Sequence, residues 1–331
     1  MSEFSSKGQA QHIGLVATGG TISMRQEQSG SAPEPVLSGA TLVGMLDEGA
    51  RVGDVELKVY EPHQIPSEDL SFSLLVNLAK SVRTAVEEND AVIVTHGTDT
   101  MEDAAFFVAE TLDNPDVLFT GSMLPADHPE YDGIANLTAS FIFAHSGERM
   151  GTGICMNHYV LPAWSARKID TAALDAFNIR EGTAVARIFD DEIERISARP
   201  TANWTAALPE LDDRDPIVPI LAVGVGTSPD AFELSRSIAK GIVIEATGTG
   251  SVPSTMKQAI IETASEIPVV VTTRCANGPT LAHDVYPNKW DELLNSGVHF
   301  ENHLDSYKAR TRLILSIALG REYEAFRVAP I

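Results

Sequence analysis

A chain of 331 residues, 44% of them apolar, is long enough to bury a sizeable core and to divide into two domains. Its 46 acidic residues against 24 basic give a formal charge of −22 and a sequence pI near 4.7, a field that repels phosphates and so excludes nucleic acid and anionic membrane surfaces as expected partners. The acidic excess fits a soluble acidic enzyme or, more sharply, adaptation to high salt.

In chain order, strand-like apolar runs fall at 13–17, 55–60, 91–95, 117–120, 153–156 and 184–189. Helical patterns lie between several of them, the clearest being Leu74, Leu75, Leu78, Val82, Ala85 and Val86, spaced three and four apart. Strands alternating with helices predict a parallel sheet covered on both faces. Residues 23–39, rich in Ser, Gly, Pro and Gln, read as a mobile surface loop of the kind that closes over a site. Residues 198–216 carry Pro200, Pro209, Pro216 and the acidic run Asp212, Asp213, Asp215, and read as a linker between a domain at 1–197 and another at 217–331. In the latter the alternation resumes: strands at 217–223, 242–245 and 269–273, helices near 230–239 and 255–265, and a last helix at 307–319. The expected fold is thus a two-domain α/β protein. Cys155 and Cys275 each lie in an apolar stretch without metal-type spacing and are expected to be buried free thiols. The opening residues lack an apolar signal-peptide core and no stretch reaches membrane-spanning length, so a cytoplasmic location is expected.

Two turns stand out. Val92, Ile93 and Val94 run into His96-Gly97-Thr98-Asp99, followed by a helical pattern; Asp99 and Glu102 have capping-box spacing, so the turn would offer free backbone N–H groups at the positive end of a helix dipole. Taken alone, Thr98, Asp99 and Glu102 would simply cap that helix. However, residues 13–16 run into a second hydroxyl-rich exit, Ala17-Thr18-Gly19-Gly20-Thr21-Ile22-Ser23. Two such exits in one parallel sheet face a common crevice, because ligands bind outside the carboxyl ends of the strands.

Other chemistries fail on their motifs. Gly248-Thr249-Gly250-Ser251-Val252-Pro253 lacks the third glycine of a dinucleotide loop, and neither a phosphate loop nor a G-x-S-x-G elbow is present. His299 and His303 have metal-site spacing, but Phe300 stands where a zinc protease carries glutamate; no metal and no cofactor are expected. Hydroxyls, carboxylates and a lysine remain. A threonine, Thr21 or Thr98, would attack an acyl carbon once a base takes its proton, backbone N–H groups near Thr98 would receive the oxyanion, and a lysine oriented by Asp99 would serve as the base. Periodicity does not say which lysine.

Ala17-Thr18-Gly19-Gly20-Thr21-Ile22 and Thr95-His96-Gly97-Thr98-Asp99-Thr100-Met101-Glu102 resemble the two signature motifs of the bacterial-type L-asparaginase/glutaminase family, and the resemblance extends over nearly the whole chain. It implies a flavodoxin-like, parallel-sheet catalytic N-terminal domain, a smaller α/β C-terminal domain, and a homodimer or homotetramer with sites at subunit contacts. Carried over by position, Thr21 is the nucleophile, Thr98 the second catalytic threonine, and Asp99 the partner of the lysine and of the substrate α-amino group. In Trp164-Ser165-Ala166-Arg167-Lys168-Ile169-Asp170-Thr171, Lys168 falls in register with the catalytic lysine. Ser67 and Glu68, in Ile65-Pro66-Ser67-Glu68-Asp69, match the pair that holds the ends of the amino-acid substrate, with Gly20 and Gly97 lining the same pocket. Without the resemblance, Ser67 reads as the N-cap of the following helix and Lys168 as a solvated surface lysine. Gly121-Ser122-Met123-Leu124-Pro125 and Tyr307-Lys308-Ala309-Arg310 are further landmarks, read as structural.

The sequence departs from the family at several points. Residues 23–39 contain no tyrosine to match the mobile-loop tyrosine of periplasmic members. Ser251 replaces the substrate-binding asparagine that follows G-x-G, no residue matches the partner subunit's glutamate, and Leu124 stands where many members have arginine. The implied activity is hydrolysis of L-asparagine to L-aspartate and ammonia through an acyl-enzyme. The alternatives are a glutaminase, a hydrolase of another small amide, or a catalytically silent amino-acid-binding protein. The tRNA-dependent amidotransferase subunit that shares the motifs needs a further domain for which no room is expected, and the acidic charge opposes tRNA.

Overall fold

The computed structural model of the chain describes residues 8–26, 32, 34–46, 55–113, 115–189, 192–198, 206, 208, 216–281, 285–320 and 326. Two compact units divide the chain, Met1–Ala202 and Asn203–Ile331. Pro200, Pro209 and the acidic run from Asp212 to Asp215 of the expected linker lie outside the described residues, as do 27–31 and 33 of the expected loop.

The first unit begins with β1 (His12–Ala17), a 3-10 turn at Thr21–Ser23, and a short antiparallel pair, β2 (Met24–Arg25) and β3 (Glu34–Pro35). There follow α1 (Gly39–Met45), β4 (Glu56–Tyr60), a 3-10 turn at Ser67–Asp69, α2 (Phe72–Glu88), β5 (Ala91–Thr95), α3 (Met101–Thr111), β6 (Val117–Thr120), α4 (Gly133–His145) and β7 (Thr152–Met156). The unit closes with β8 (Tyr159–Pro162), β9 (Ala166–Lys168), β10 (Phe177–Ile179), β11 (Ala186–Phe189) and β12 (Glu192–Arg195). The main sheet has eight strands in the order β12-β11-β8-β7-β6-β5-β1-β4. From β4 to β7 all pairings are parallel, which taken in chain order is the flavodoxin-like arrangement 2-1-3-4-5. β5 and β6 are apolar along nearly their whole length because both faces are covered.

The expected parallel sheet is extended at one edge by β8, β11 and β12, each paired antiparallel to its neighbour. The cause is the tight turn between β7 and β8, whose two residues, Asn157 (φ 46°) and His158 (φ 65°), adopt the left-handed conformation of a two-residue hairpin. A connection that short reverses the chain and cannot make a parallel crossover. The helix α2 buries Leu75, Leu78, Val82 and Ala85 along one stripe and is capped by Ser71, whose Oγ accepts from the Leu74 N–H at 3.2 Å. Ser67 is therefore not its N-cap; it opens the separate 3-10 turn.

The decisive feature for function is the reversal of strand order between β1 and β5, the switch point where flavodoxin-like sheets bind ligands. Ala17 pairs with Thr95 and Thr95 with Thr120, so the two hydroxyl-rich exits leave the sheet side by side.

The second unit holds β13 (Ile220–Ala222), α5 (Pro229–Arg236), β14 (Ile242–Ala246), α6 (Ser254–Ala264), β15 (Val269–Thr273), α7 (Asp291–Asn295), β16 (His299–Phe300) and α8 (Ser306–Ala318). Its four strands form a parallel sheet in chain order over a core that includes Phe232, Ile244, Ile260, Val271, Trp290 and Phe300. Cys155 is buried in β7, but the expectation of a buried thiol fails for Cys275, which lies exposed in the loop beyond β15.

Candidate active site

Glycine makes the junction of the two turns possible. Gly19 and Gly20 have φ of 96° and 75°, and a Cβ on Gly20 would sit 2.2 Å from the Gly97 nitrogen and 2.3 Å from its Cα. The turns pack backbone against backbone, an approach that any side chain would block. Thr18 ties them together: its N–H and its Oγ1 both donate to the Thr95 carbonyl, at 3.1 and 2.8 Å. A third segment joins through Gly20 N–H to Ile65 O and Ile65 N–H to Thr18 O, both 3.1 Å, which brings Ser67 and Glu68 to the same place. A Cβ on Gly97 would lie 2.6 Å from the Ser67 Oγ, so that contact is equally close.

Beneath the turns His96 is buried, its Nδ1 2.8 Å from the Gly97 carbonyl. Burial pushes its pKa from 6.5 down to about 4, with His63 acting in the same direction. The ring is neutral near pH 7, and since a carbonyl only accepts, Nδ1 carries the proton. The half-buried Tyr131 ring donates its hydroxyl proton to the Ile22 carbonyl at 2.6 Å, fixing the residue next to Thr21. Gly133 leaves room for that ring, since a Cβ there would fall 2.3 Å from Tyr131 atoms.

Lys168 completes the arrangement. Its Nζ lies 2.8 Å from Thr98 Oγ1 and 2.6 Å from Asp99 Oδ1, with its own side chain 15% exposed and that of Asp99 63% exposed. The lysine is thus no solvated surface residue. A hydrogen bond donated by Nζ to Thr98 leaves that hydroxyl's own proton free for another acceptor. The expected capping box is not formed: Thr100 occupies the N-cap of α3 without a side-chain cap, donating instead to Ser67 O at 2.8 Å, and the buried Glu102 carboxylate accepts the backbone N–H of Lys168.

A cavity of about 200 Å³ opens over these groups, lined by Gly20, Thr21, Ser67, Glu68, Gly97, Thr98, Asp99 and Lys168. Drug-sized ligands occupy roughly 300–1,000 Å³, so this one suits a small polar molecule. Two larger hollows, of about 470 and 290 Å³, lie along the antiparallel edge and contain neither glycine turn.

The model for the asparaginase N-terminal domain matches residues 12–201, and that for the glutaminase/asparaginase C-terminal domain matches 217–329. The chain belongs to the asparaginase family. Among its relatives in that family, a probable L-asparaginase of Deinococcus radiodurans is 30% identical over 95% of both chains. An L-asparaginase of Bacillus licheniformis is 28% identical over 94% of this chain and 96% of its own. A glutamyl-tRNA(Gln) amidotransferase component from Nanoarchaeum equitans is 27% identical over 94% of this chain but 79% of its own. The thermostable L-asparaginase structure from Thermococcus kodakarensis superposes with a TM-score of 0.84 at 24% identity, covering 96% of this chain and 95% of that one, which speaks for the shared fold.

Within this asparaginase fold, every expected site residue of the first unit lies on the one cavity. Ser251 belongs to the second unit, where its Oγ receives a hydrogen bond from Lys289 Nζ at 2.7 Å. Three cavity residues escape the sequence reading: Met24, Met123 and Thr171. Met123 lies in the landmark read as purely structural; the carboxylate of Asp132 accepts its N–H and that of Leu124 at 3.0–3.1 Å, turning the segment toward the site. Met24 follows the Thr21 turn directly and its carbonyl accepts the Ala126 N–H at 2.8 Å, so the two methionine-bearing segments are joined. Among the described residues no group of three or more His, Cys, Asp or Glu could hold a metal ion, and no helix is long and apolar enough to cross a membrane.

Proposed function

We propose that this asparaginase-family protein hydrolyses the side-chain amide of L-asparagine, with Thr21 as nucleophile. The observation that carries the reading is the Thr98–Lys168–Asp99 contact facing the same small cavity as Thr21. Thr21 Oγ attacks the carboxamide carbon as its proton passes by way of the Thr98 hydroxyl to the neutral amine of Lys168, and backbone N–H groups near Thr98 stabilise the tetrahedral oxyanion. Collapse breaks the C–N bond, the returning proton lets nitrogen leave as ammonia, and an aspartyl ester remains on Thr21. Water, activated by the same pair, cleaves that ester, releasing aspartate and restoring the hydroxyl. Glu68 and Asp99 attract the substrate's α-ammonium, while Ser67 donates to its α-carboxylate; this charge pattern selects an amino acid over a simple amide. The reaction as written needs no cofactor. The L-asparaginase relatives support this reading of the reaction; a homodimer or homotetramer in the cytoplasm is proposed with it on the family resemblance alone.

Leu124 and Ser251, where the family resemblance expects arginine and asparagine, favour a second substrate reading: glutamine or another small amide on the same machinery. Ammonia release from L-asparagine, L-glutamine and D-asparagine, at low and at molar salt, separates these. A dominant rate on L-asparagine supports the proposal, a dominant rate on another amide replaces the substrate, and binding without release points to a silent receptor. In the active case Thr21→Ala and Thr98→Ala each lower turnover by orders of magnitude while the melting temperature stays close to that of the parent.

A further inference from the structure

Lys168 sits on an unusually slight support. β9 is three residues long and pairs, among the described residues, only with β10, outside the main sheet. A lysine side chain has four rotatable bonds, so its Nζ stays within hydrogen-bond distance of two acceptors only if its Cα is fixed. The fixing contact comes from α3. Glu102 stands on the first turn of that helix, is 7% exposed, and its Oε2 accepts the Lys168 N–H. Thr98 and Asp99, which receive the Nζ, immediately precede the same helix. α3 and the turn that leads into it therefore grip the lysine at both ends, the main chain through Glu102 and Nζ through Thr98 and Asp99. A carboxylate in the first turn is also favoured there by the helix dipole.

We propose that Glu102 is a positioning residue for the reaction: it holds the main chain of Lys168 so that Nζ meets Thr98 and Asp99. The proposal rests on the role given to Lys168 above. Removing the carboxylate leaves a partly buried N–H without its acceptor and lets β9 drift from α3. A shift of about 1 Å at a reacting group costs on the order of a hundredfold in rate. Glu102→Ala is therefore expected to lower kcat on L-asparagine ten- to a hundredfold with KM changed less than threefold, because Ser67, Glu68 and Asp99, which hold the amino-acid head, stand on segments that Glu102 does not fix. Glu102→Gln keeps an acceptor oxygen at the same reach and is expected to retain at least a third of the parent kcat.

The readout that a merely structural role would not move is coupling to the lysine. In a Lys168→Met background the amine is already gone, so adding Glu102→Ala should lower the residual rate less than twofold. Circular dichroism and thermal melts of all variants establish that they are folded, and Glu102→Gln serves as the folded comparison if Glu102→Ala unfolds. The proposal is overturned if Glu102→Ala turns over at the parent rate, if Glu102→Gln is as impaired as Glu102→Ala, or if the losses from Glu102 and Lys168 multiply independently. A Glu102→Ala protein at full rate beside an inactive Lys168→Met protein would sink this inference alone. An active Lys168→Met protein would instead sink the reading on which it rests.

Discussion

Gly20→Ala places a methyl carbon 2.2 Å from the backbone nitrogen of Gly97 and 2.3 Å from its Cα, with backbone rather than a flexible side chain in the way. The residue also has φ 75° and ψ −179°, a region open essentially to glycine alone, where an L-residue costs about 1–3 kcal/mol. Adding about 1–3 kcal/mol for overpacking gives an expected destabilisation of about 2–6 kcal/mol. Relief of the clash requires the Thr21 turn and the Thr98 turn to separate, so the rate should fall on the order of a hundredfold or more even in molecules that remain folded. Urea unfolding supplies the first number and kcat on L-asparagine the second. Gly97→Ala is the internal comparison: its Cβ would meet Ser67 Cβ and Oγ at 2.6 Å, a longer approach than the 2.2 Å at Gly20 and without a positive φ to strain, so the stability loss should be smaller. A Gly20→Ala protein with parent stability and parent rate would refute the claim that backbone-to-backbone packing of the two turns builds the site.

Two further outcomes are expected. His96 is neutral in the fold, its pKa lowered by burial from 6.5 to about 4, so between those values the unfolded chain binds a proton that the folded chain does not. Its contribution is present in full above pH 6.5 and is lost as the pH falls toward 4, up to about 3 kcal/mol. Comparing urea unfolding of the parent and His96→Gln at pH 7 and pH 4.5 isolates it, because the carboxylates titrate alike in both; parallel pH dependences would contradict the assignment. Tyr131→Phe removes the donor to the Ile22 carbonyl and should cost about 1 kcal/mol together with a several-fold loss of kcat, whereas an unchanged kcat would show that the Thr21 turn needs no such support.

Much of the fold was legible because parallel strands covered on both faces leave continuous apolar runs, as at 91–95 and 117–120. The antiparallel edge was not, since the reversal at Asn157 and His158 depends on two left-handed residues without the usual glycine. α4 also escaped notice: Leu137, Ala139, Phe141 and Phe143 are all buried, and their alternation mimics a strand more than an amphipathic helix. At the site, Thr21, Thr98, Asp99 and Lys168 could be named because two motifs and a register carried them. Met24 and Thr171 follow from the course of the chain after the Thr21 turn and after β9, which no periodicity encodes. In sequence Glu102 reads as half of a capping box, because the spacing from Asp99 is visible there but not the strand that arrives 66 residues later to claim the carboxylate.

The central claim is that Thr21 does the chemistry on L-asparagine, and the most direct test is the rate of ammonia release from L-asparagine by the parent and by Thr21→Ala under identical conditions. The account predicts ammonia and aspartate in equal amounts from the parent and a loss on the order of a thousandfold or more in the variant. A folded parent that releases none, or a Thr21→Ala protein within tenfold of the parent, would contradict it.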